Sequence, residues 1–206
     1  MPQPKIIENA SPDQVADWLA ERLGRILESR AGPVTITIPG GATPFPILRR
    51  LVERGVALDR VVVWPNDDRI VPEDHEASNT GRIRRLLEPA GAEVVTLSVM
   101  EQVPRFDLAW LGMGADGHVA SLFPNTEPRV DDPQRIRRIT PDPLPPEAPF
   151  ARVTLTLPAL LDSEELVFVI KGEDKRVVFE AAAAGGNDLP VARLLSAATQ
   201  PVTCFA

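Results

Sequence analysis

The stretch Val34-Thr-Ile-Thr-Ile38, followed by Pro39-Gly-Gly-Ala-Thr-Pro44, decides the fold class. The first five residues are all β-branched and predict a buried strand, which the glycine-rich turn then ends. After the turn, apolar residues recur at helical spacing, at Ile47, Leu48, Leu51 and Val52. A strand, a tight turn and a helix in this order are typical of an α/β fold.

The same alternation continues along the chain. Further strands are predicted at 60–64, 93–99, 106–111, 151–157, 166–170 and near Val202, and further helices at 11–27, 78–87, 175–184 and 190–197. Strands separated by helices indicate βαβ units, hence a mostly parallel sheet with helices on both faces. We therefore predict a Rossmann-like α/β fold in a single domain over residues 1–206. The proline-rich stretch 124–149 is expected to cross its surface.

The first helix carries a clear N-terminal signature. Ser11 can cap it, Pro12 suits the first helical position, and Gln14 follows the cap by three residues. This spacing predicts a capping box, in which the serine and glutamine side chains satisfy each other's backbone N–H groups.

The composition of the chain excludes several classes of protein. Its 206 residues are 44% hydrophobic and 25% charged, as in ordinary globular proteins. A net charge of −7 disfavours nucleic acid as a partner, because proteins that bind phosphate backbones are usually basic. The single cysteine, Cys204, allows no internal disulfide and no cysteine-based zinc site. Without a signal peptide or a run of 18 apolar residues, we expect a soluble, cytoplasmic protein with no membrane partner.

Two polar loops follow predicted strands in the first half of the chain. Ligands of open α/β sheets bind outside the carboxyl ends of the strands, which is where these loops lie. Gly40 and Gly41 can let backbone N–H groups approach an anion, or they can serve the geometry of a tight turn alone. Asp67, Asp68 and Arg69 can bind the hydroxyl groups of a ligand and stabilise its charge, or they can form a weak surface ion pair. These alternatives stay open at this point.

A third loop, Gly112-Met-Gly-Ala-Asp-Gly-His118, follows the strand predicted at 106–111. It fits the G-x-G-x-x-G pattern of dinucleotide sites, but Pro124 follows too soon for a long helix behind the loop, so no nicotinamide cofactor is expected. Imidazole side chains titrate near neutral pH, which makes His118 a candidate for proton transfer. Gly117 is expected to leave room for a substrate beside it. The other histidine, His75, is interpreted as a structural contact.

Together these segments resemble the 6-phosphogluconolactonase family, within the glucosamine-6-phosphate isomerase/deaminase-like superfamily. The matching segments are Gly40-Gly-Ala-Thr-Pro44, Asp67-Asp-Arg-Ile-Val-Pro72, His75 with Ser78-Asn79, Gly112 to Pro124, Arg152-Val-Thr-Leu-Thr156 and Gly172-Glu-Asp-Lys175. The block that ends in Ser-Leu-Phe-Pro124 is the most specific of them. The chain departs from the family pattern at Ala42, where serine is usual, and at Asp68, where glutamate is usual.

The resemblance implies hydrolysis of 6-phospho-D-glucono-1,5-lactone to 6-phosphogluconate, in the oxidative pentose phosphate pathway. A lactone is an activated ester, so a positioned water and one base suffice, and neither metal nor cofactor is expected. The resemblance implies that His118 is the base, that Asp116 orients it and that Arg69 stabilises negative charge or holds the lactone. The residues implied in substrate binding are Gly40, Gly41, Thr43, Asp67, Arg69, Arg152 and Lys175. Apart from the small-molecule lactone no partner is implied, and a monomer or weak homodimer is expected.

Two other functions within the superfamily stay open. The deaminase branch typically has Asp-Glu-Tyr in place of Asp67-Asp-Arg69, and Phe-Asn-Glu-Pro in place of Ser121-Leu-Phe-Pro124. Both differences favour the lactonase over a glucosamine-6-phosphate deaminase/isomerase-like enzyme. Non-catalytic sugar-phosphate-binding modules carry a helix-turn-helix ahead of the shared fold, whereas 33 residues precede the first predicted strand here.

Overall fold

The central sheet of the computed structural model, which describes residues 3–144 and 149–206, contains seven strands. Their spatial order is β1 (Lys5–Ile7), β10 (Val202–Phe205), β9 (Leu166–Val169), β6 (Leu108–Leu111), β2 (Val34–Ile38), β3 (Val61–Pro65) and β5 (Glu93–Val94). Every neighbouring pair in this sheet runs parallel. The predicted α/β class with a mostly parallel sheet is therefore confirmed.

Six α-helices connect these strands in the described residues: α1 (Pro12–Ser29), α2 (Pro44–Glu53), α3 (Asn79–Leu87), α4 (Leu157–Leu161), α5 (Glu173–Ala183) and α6 (Pro190–Ala197). The capping box at α1 is present as predicted. Ser11 accepts from the Gln14 backbone N–H, and the Gln14 side chain accepts from the Ser11 N–H. Within the described parts of the chain, no helix combines the length and apolar character needed to cross a bilayer.

Two hydrophobic cores cover the two faces of the central sheet. Successive residues of β6 alternate between them: Leu108 and Trp110 pack with α1 and α2, whereas Ala109 and Leu111 pack with α5 and α6. This alternation follows from the two-residue period of a strand, which sends neighbouring side chains to opposite faces. The helices therefore lie on both sides of the sheet, as predicted.

A second, three-stranded antiparallel sheet was not predicted. It contains β4 (Asp67–Arg69), β8 (Arg152–Leu155) and β7 (Ile136–Ile139), in that order. The prediction that residues 151–157 form a strand of the parallel sheet is therefore wrong. Asn66 joins the two sheets, since its N–H donates to the Ile38 carbonyl and its own carbonyl accepts from Leu155. The stretch 124–149 contributes β7, and its residues 145–148 lie outside the described parts.

Three further elements differ from prediction. The strand predicted at 93–99 is only Glu93–Val94, because pairing with β3 stops after two residues. Strand β1 has three residues, too few for a periodic pattern in the sequence. Helix α4 begins at Leu157, at the end of the segment predicted as a strand.

Cys204 lies on β10 and is fully buried. Burial in apolar surroundings raises the pKa of its thiol to about 12, since a thiolate would be desolvated there. We expect the folded protein to give no reaction with a thiol reagent such as DTNB at pH 8. The protein in denaturant is expected to give one equivalent per chain, and rapid labelling without denaturant would contradict the buried placement.

Candidate active site

Four loops meet at the carboxyl edge of the central sheet. Strand β6 lies between β2 and β9, and β3 lies on the other side of β2. The segments that follow these strands carry Gly40, Asp67, His118 and Lys175, so the topology places these four predicted residues at one edge. This edge is where open α/β sheets bind their ligands.

The glycine loop after β2 is shaped by a contact with Asn79. Gly40 is buried, and a Cβ atom there would lie 1.9 Å from Asn79 Cγ, so any side chain at this position would collide with the asparagine. Gly41 and Ala42 are exposed, and a Cβ on Gly41 would meet open space. Neither glycine has a positive φ, so the turn does not demand glycine for its backbone conformation. Close approach at Gly40 is the physical requirement.

Asp68 fixes the start of helix α3. Its buried carboxylate accepts from the backbone N–H groups of Asn79 and Thr80, at 2.6 and 2.9 Å, and from the Ser78 hydroxyl, at 3.1 Å. Ser78 in turn accepts from the Gly81 N–H as the N-cap of the helix. A carboxylate at a helix N-terminus is stabilised both by these hydrogen bonds and by the helix dipole. Asp68 is therefore a positioning residue for α3.

Asn79 connects the glycine loop to the acidic strand β4. Its amide nitrogen donates to the Asp67 carbonyl at 2.9 Å, and its amide oxygen accepts from Arg69 Nη1 at 2.8 Å. Arg69 Nη1 also donates to the Ala77 carbonyl at 3.0 Å. The guanidinium of Arg69 is thus held in one orientation by neutral acceptors, and its positive charge is left for a ligand.

Arg69 and Arg152 are register partners on neighbouring antiparallel strands. Burial and the positive charge of Arg69 lower the pKa of Arg152, while Asp67 and Asp68 oppose this change. Burial raises the pKa of Asp67, against a hydrogen bond from the Ser121 hydroxyl and the charges of both arginines. Two guanidinium groups and one buried carboxylate therefore lie together on the second sheet, and we call this group the charged floor of the site.

Ser121 ties the histidine loop to this floor. Its hydroxyl donates to Asp67 Oδ2, and its backbone N–H donates to Thr154 Oγ1 on β8. Ala120 just before it has a φ of 51°, which is unusual for a residue with a side chain. This backbone turn brings the segment that carries His118 onto the second sheet.

Asp116 holds the ring of His118. Asp116 Oδ1 lies 2.6 Å from His118 Nδ1 and 3.2 Å from the His118 backbone nitrogen. The hydrogen bond from His118 is the main reason that the pKa of Asp116 is lowered. A carboxylate at Nδ1 favours the tautomer with its proton there, so the Nε2 lone pair can accept a proton. The ring also packs against Phe123, with centroids 4.6 Å apart.

The expectation that Gly117 leaves room for a substrate is wrong. Leu189 fills that space, and a Cβ on Gly117 would lie 2.8 Å from Leu189 Cδ1. Gly117 also has a φ of +77°, a conformation that favours glycine, and its carbonyl accepts from the Val191 N–H. The glycine therefore joins the loop that carries His118 to the start of helix α6.

Lys175 lies in the first turn of α5 and is half-buried. The same turn contains Glu173 and Asp174, acidic residues that suit a helix N-terminus. In the two described parts of the chain, residues 3–144 and 149–206, Lys175 makes no ion pair or side-chain hydrogen bond, so its ammonium is free to meet a ligand. No group of three or more histidine, cysteine or acidic side chains that could hold a metal ion is found among those residues.

The family model described as glucosamine-6-phosphate isomerases/6-phosphogluconolactonase matches residues 8–97 and 88–203. The chain belongs to this family. A 6-phosphogluconolactonase from Mesorhizobium japonicum is 34% identical over 227 residues, covering 96% of this chain and 93% of the relative. Its counterpart from Pseudomonas aeruginosa is 33% identical, with coverage of 91% and 89%. The family and the enzyme class predicted from the sequence are thereby confirmed.

Solved structures within the family share the fold. The crystal structure of a 6-phosphogluconolactonase from Shewanella baltica superimposes with a TM-score of 0.83 at 25% identity, covering 99% of this chain and 97% of that one. A monomeric glucosamine-6-phosphate deaminase superimposes with a TM-score of 0.75 at 14% identity, which shows the fold alone. The fold by itself therefore does not distinguish a lactonase from that deaminase.

Sequence reasoning omitted two residues that organise the site of this family member. The sequence shows Asn79 only as part of the Ser78-Asn79 segment and Ser121 only as part of the block that ends at Pro124. The structure places both beside Asp67, at the junction of the glycine loop, β4 and the histidine loop. Their hydrogen bonds span 12 and 54 residues of sequence, so no local pattern could have revealed them.

Proposed function

We propose that this chain hydrolyses 6-phospho-D-glucono-1,5-lactone to 6-phosphogluconate, as one domain over residues 1–206 acting in the oxidative pentose phosphate pathway. The observation that carries the proposal is the His118–Asp116 pair, at 2.6 Å, on a loop joined through Ser121 to the floor that holds Arg69. A base and a cation at the same edge of the sheet suit the attack of water on an ester carbonyl.

His118 acts as the general base in this proposal. Its Nε2 takes a proton from the water whose oxygen attacks the lactone carbonyl, and a tetrahedral oxyanion forms. Arg69 stabilises the negative charge on that oxygen, because its guanidinium is held in place before the reaction begins. As the bond to the ring oxygen breaks, the protonated His118 returns its proton to that oxygen. Asp116 keeps the ring oriented and stabilises its charged form.

A phosphate clamp orients the substrate over His118. We infer that it comprises Gly40, Gly41, Thr43, Arg152 and Lys175, with Asp67 contacting hydroxyls or fixing Arg69. Thr43 is the N-cap of α2 but makes no capping hydrogen bond, so its hydroxyl can meet the phosphate. Binding energy from this remote group is converted into alignment of the carbonyl with the base.

Two substrates and one product separate the proposal from its alternatives. Purified protein is expected to accelerate opening of the phosphorylated lactone and to release no ammonia from glucosamine 6-phosphate. Ammonia release at a comparable rate would assign the chain to the deaminase branch instead. Binding of 6-phosphogluconate without turnover of either compound would indicate a sugar-phosphate-binding module.

The proposed mechanism needs no metal ion or nicotinamide. We expect the rate of lactone opening to be unchanged after EDTA treatment and dialysis, and unchanged when NAD⁺ or NADP⁺ is added. Loss of activity with EDTA, restored by a divalent metal, would contradict the mechanism. Tight NAD(H) binding in calorimetry would do the same.

A further inference from the structure

Arg82 reaches from helix α3 to the glycine loop. Its guanidinium carbon lies 3.9 Å above the ring centroid of Phe45, on α2, and its Nη1 donates to the Gly40 carbonyl at 3.3 Å. The buried Phe45 ring attracts the cation and fixes the plane of the guanidinium. Two contacts therefore hold the half-buried Arg82 beside Gly40, a residue of the proposed phosphate clamp.

The charge of Arg82 is not balanced locally. Among the residues that the structure describes, no carboxylate forms an ion pair with Arg82, whereas Arg84, two residues further on, pairs with Glu73 and Glu88. Burial, followed by the positive charges of Arg69, Arg85 and Arg49, lowers the pKa of Arg82. These arginines repel one another, although the whole chain carries a net charge of −7. A bound anion would reduce this repulsion.

The backbone near Gly40 offers few hydrogen-bond donors for such an anion. Helix α2 begins at Pro44, and Pro46 follows two residues later, so two of its first three residues have no N–H group. Ala42 has no hydroxyl. A phosphate at this loop must therefore rely on side-chain cations more than is usual at a helix N-terminus.

We propose that Arg82 is a specificity-determining residue that binds the phosphate group of the substrate through the N–H groups that Gly40 does not use. The inference rests on the proposed function for the identity of the phosphate ester. The contact with Phe45 places the guanidinium before the substrate arrives, so less entropy is lost on binding. Arg82 acts on the phosphate and not on the lactone carbonyl.

The test compares Arg82→Gln with Arg85→Gln, which removes the same charge from an exposed position on the same helix. For Arg82→Gln we expect KM for the phosphorylated lactone to rise about 10-fold, as for a lost hydrogen bond to a charged group, with kcat within about 3-fold of wild type. The unphosphorylated glucono-1,5-lactone is expected to be hydrolysed as by wild type. Arg85→Gln is expected to change KM for either lactone by less than about 3-fold, because the exposed Arg85 contributes only a screened charge.

Equal losses of Arg82→Gln on both lactones would overturn the inference, because they would mean that Arg82 only supports the loop. Equal effects of the two variants would overturn it as well. If Arg82→Gln fails to fold, Arg82→Lys against Arg85→Lys replaces the pair, since lysine keeps the charge but lacks the planar fork. A loss of at least about 3-fold confined to the phosphorylated lactone is then expected, and its absence overturns the inference.

Calorimetry with 6-phosphogluconate keeps this test separate from the proposed reaction. The Arg82→Gln variant is expected to bind 6-phosphogluconate about 10-fold more weakly than either the wild-type protein or the Arg85→Gln variant. If the wild-type protein opens no lactone but this difference in binding is found, the proposed function fails and the role of Arg82 stands. If lactone is hydrolysed but all three proteins bind 6-phosphogluconate equally, the role of Arg82 is wrong and the function stands.

Discussion

Replacing His118 with asparagine is expected to lower kcat for the phosphorylated lactone by at least ~100-fold, since a general base contributes about 10²–10⁴ in rate. Asparagine has a similar size and can still hydrogen-bond to Asp116, but it cannot take a proton from water at neutral pH. The variant is expected to remain folded and to bind 6-phosphogluconate as wild type does. The measurement is the initial rate at saturating lactone, with spontaneous opening subtracted.

His75→Asn is the matched control for this experiment. The ring of His75 accepts from the Ala77 N–H at 3.0 Å and packs edge-on against Phe150, with centroids 5.6 Å apart. These are structural contacts, so this variant is expected to lose much less activity than His118→Asn. Retention of more than about a tenth of wild-type kcat by His118→Asn would show that another group is the base.

Neutralising Lys175 is expected to have the second largest effect. Lys175→Met keeps most of the side-chain length and removes a charge-assisted hydrogen bond to phosphate, worth about 1.5–3 kcal/mol. We expect kcat/KM for the phosphorylated lactone to fall by roughly 10- to 100-fold. The loss with unphosphorylated glucono-1,5-lactone is expected to be far smaller. Lys171→Met, an exposed lysine just after β9, is the matched control and is expected to change little.

Arg152→Gln is expected to show the same selectivity for the phosphorylated lactone. Because Arg152 is buried, with 3% of its surface exposed, this variant needs a thermal melt beside the kinetics. A folded variant that loses the same factor on both lactones would place Arg152 at the carbonyl instead of the phosphate. The same outcome for Lys175→Met would remove that residue from the clamp.

Local patterns in the sequence were sufficient to predict the central sheet and its helices. The β-branched run at 34–38 matches β2 residue for residue, because a buried strand needs no partner-specific signal beyond its apolar, β-branched character. The capping box at Ser11 is likewise a contact between residues three apart. The positions of Asp67, His118 and Lys175 at one edge follow from the parallel order of the strands.

The second sheet could not be predicted in this way. Residues 152–155 have a strand pattern, but nothing local states that their partners are Asp67–Arg69 on one side and Ile136–Ile139 on the other. Because these strands pair antiparallel, Arg152 lies opposite Arg69, and the two guanidinium groups belong to the charged floor of the site. Long-range contacts of this kind depend on the whole fold, which is also why the packing of Leu189 on Gly117 was not foreseen.

The most direct test of the central claim is the initial rate at which purified protein opens freshly prepared 6-phospho-D-glucono-1,5-lactone. The lactone also opens unaided, so the rate must be followed at several protein concentrations against a blank. The account predicts a rate that rises linearly with protein concentration, with kcat/KM of about 10⁴ M⁻¹s⁻¹ or more. A rate equal to the spontaneous one at every protein concentration would contradict it.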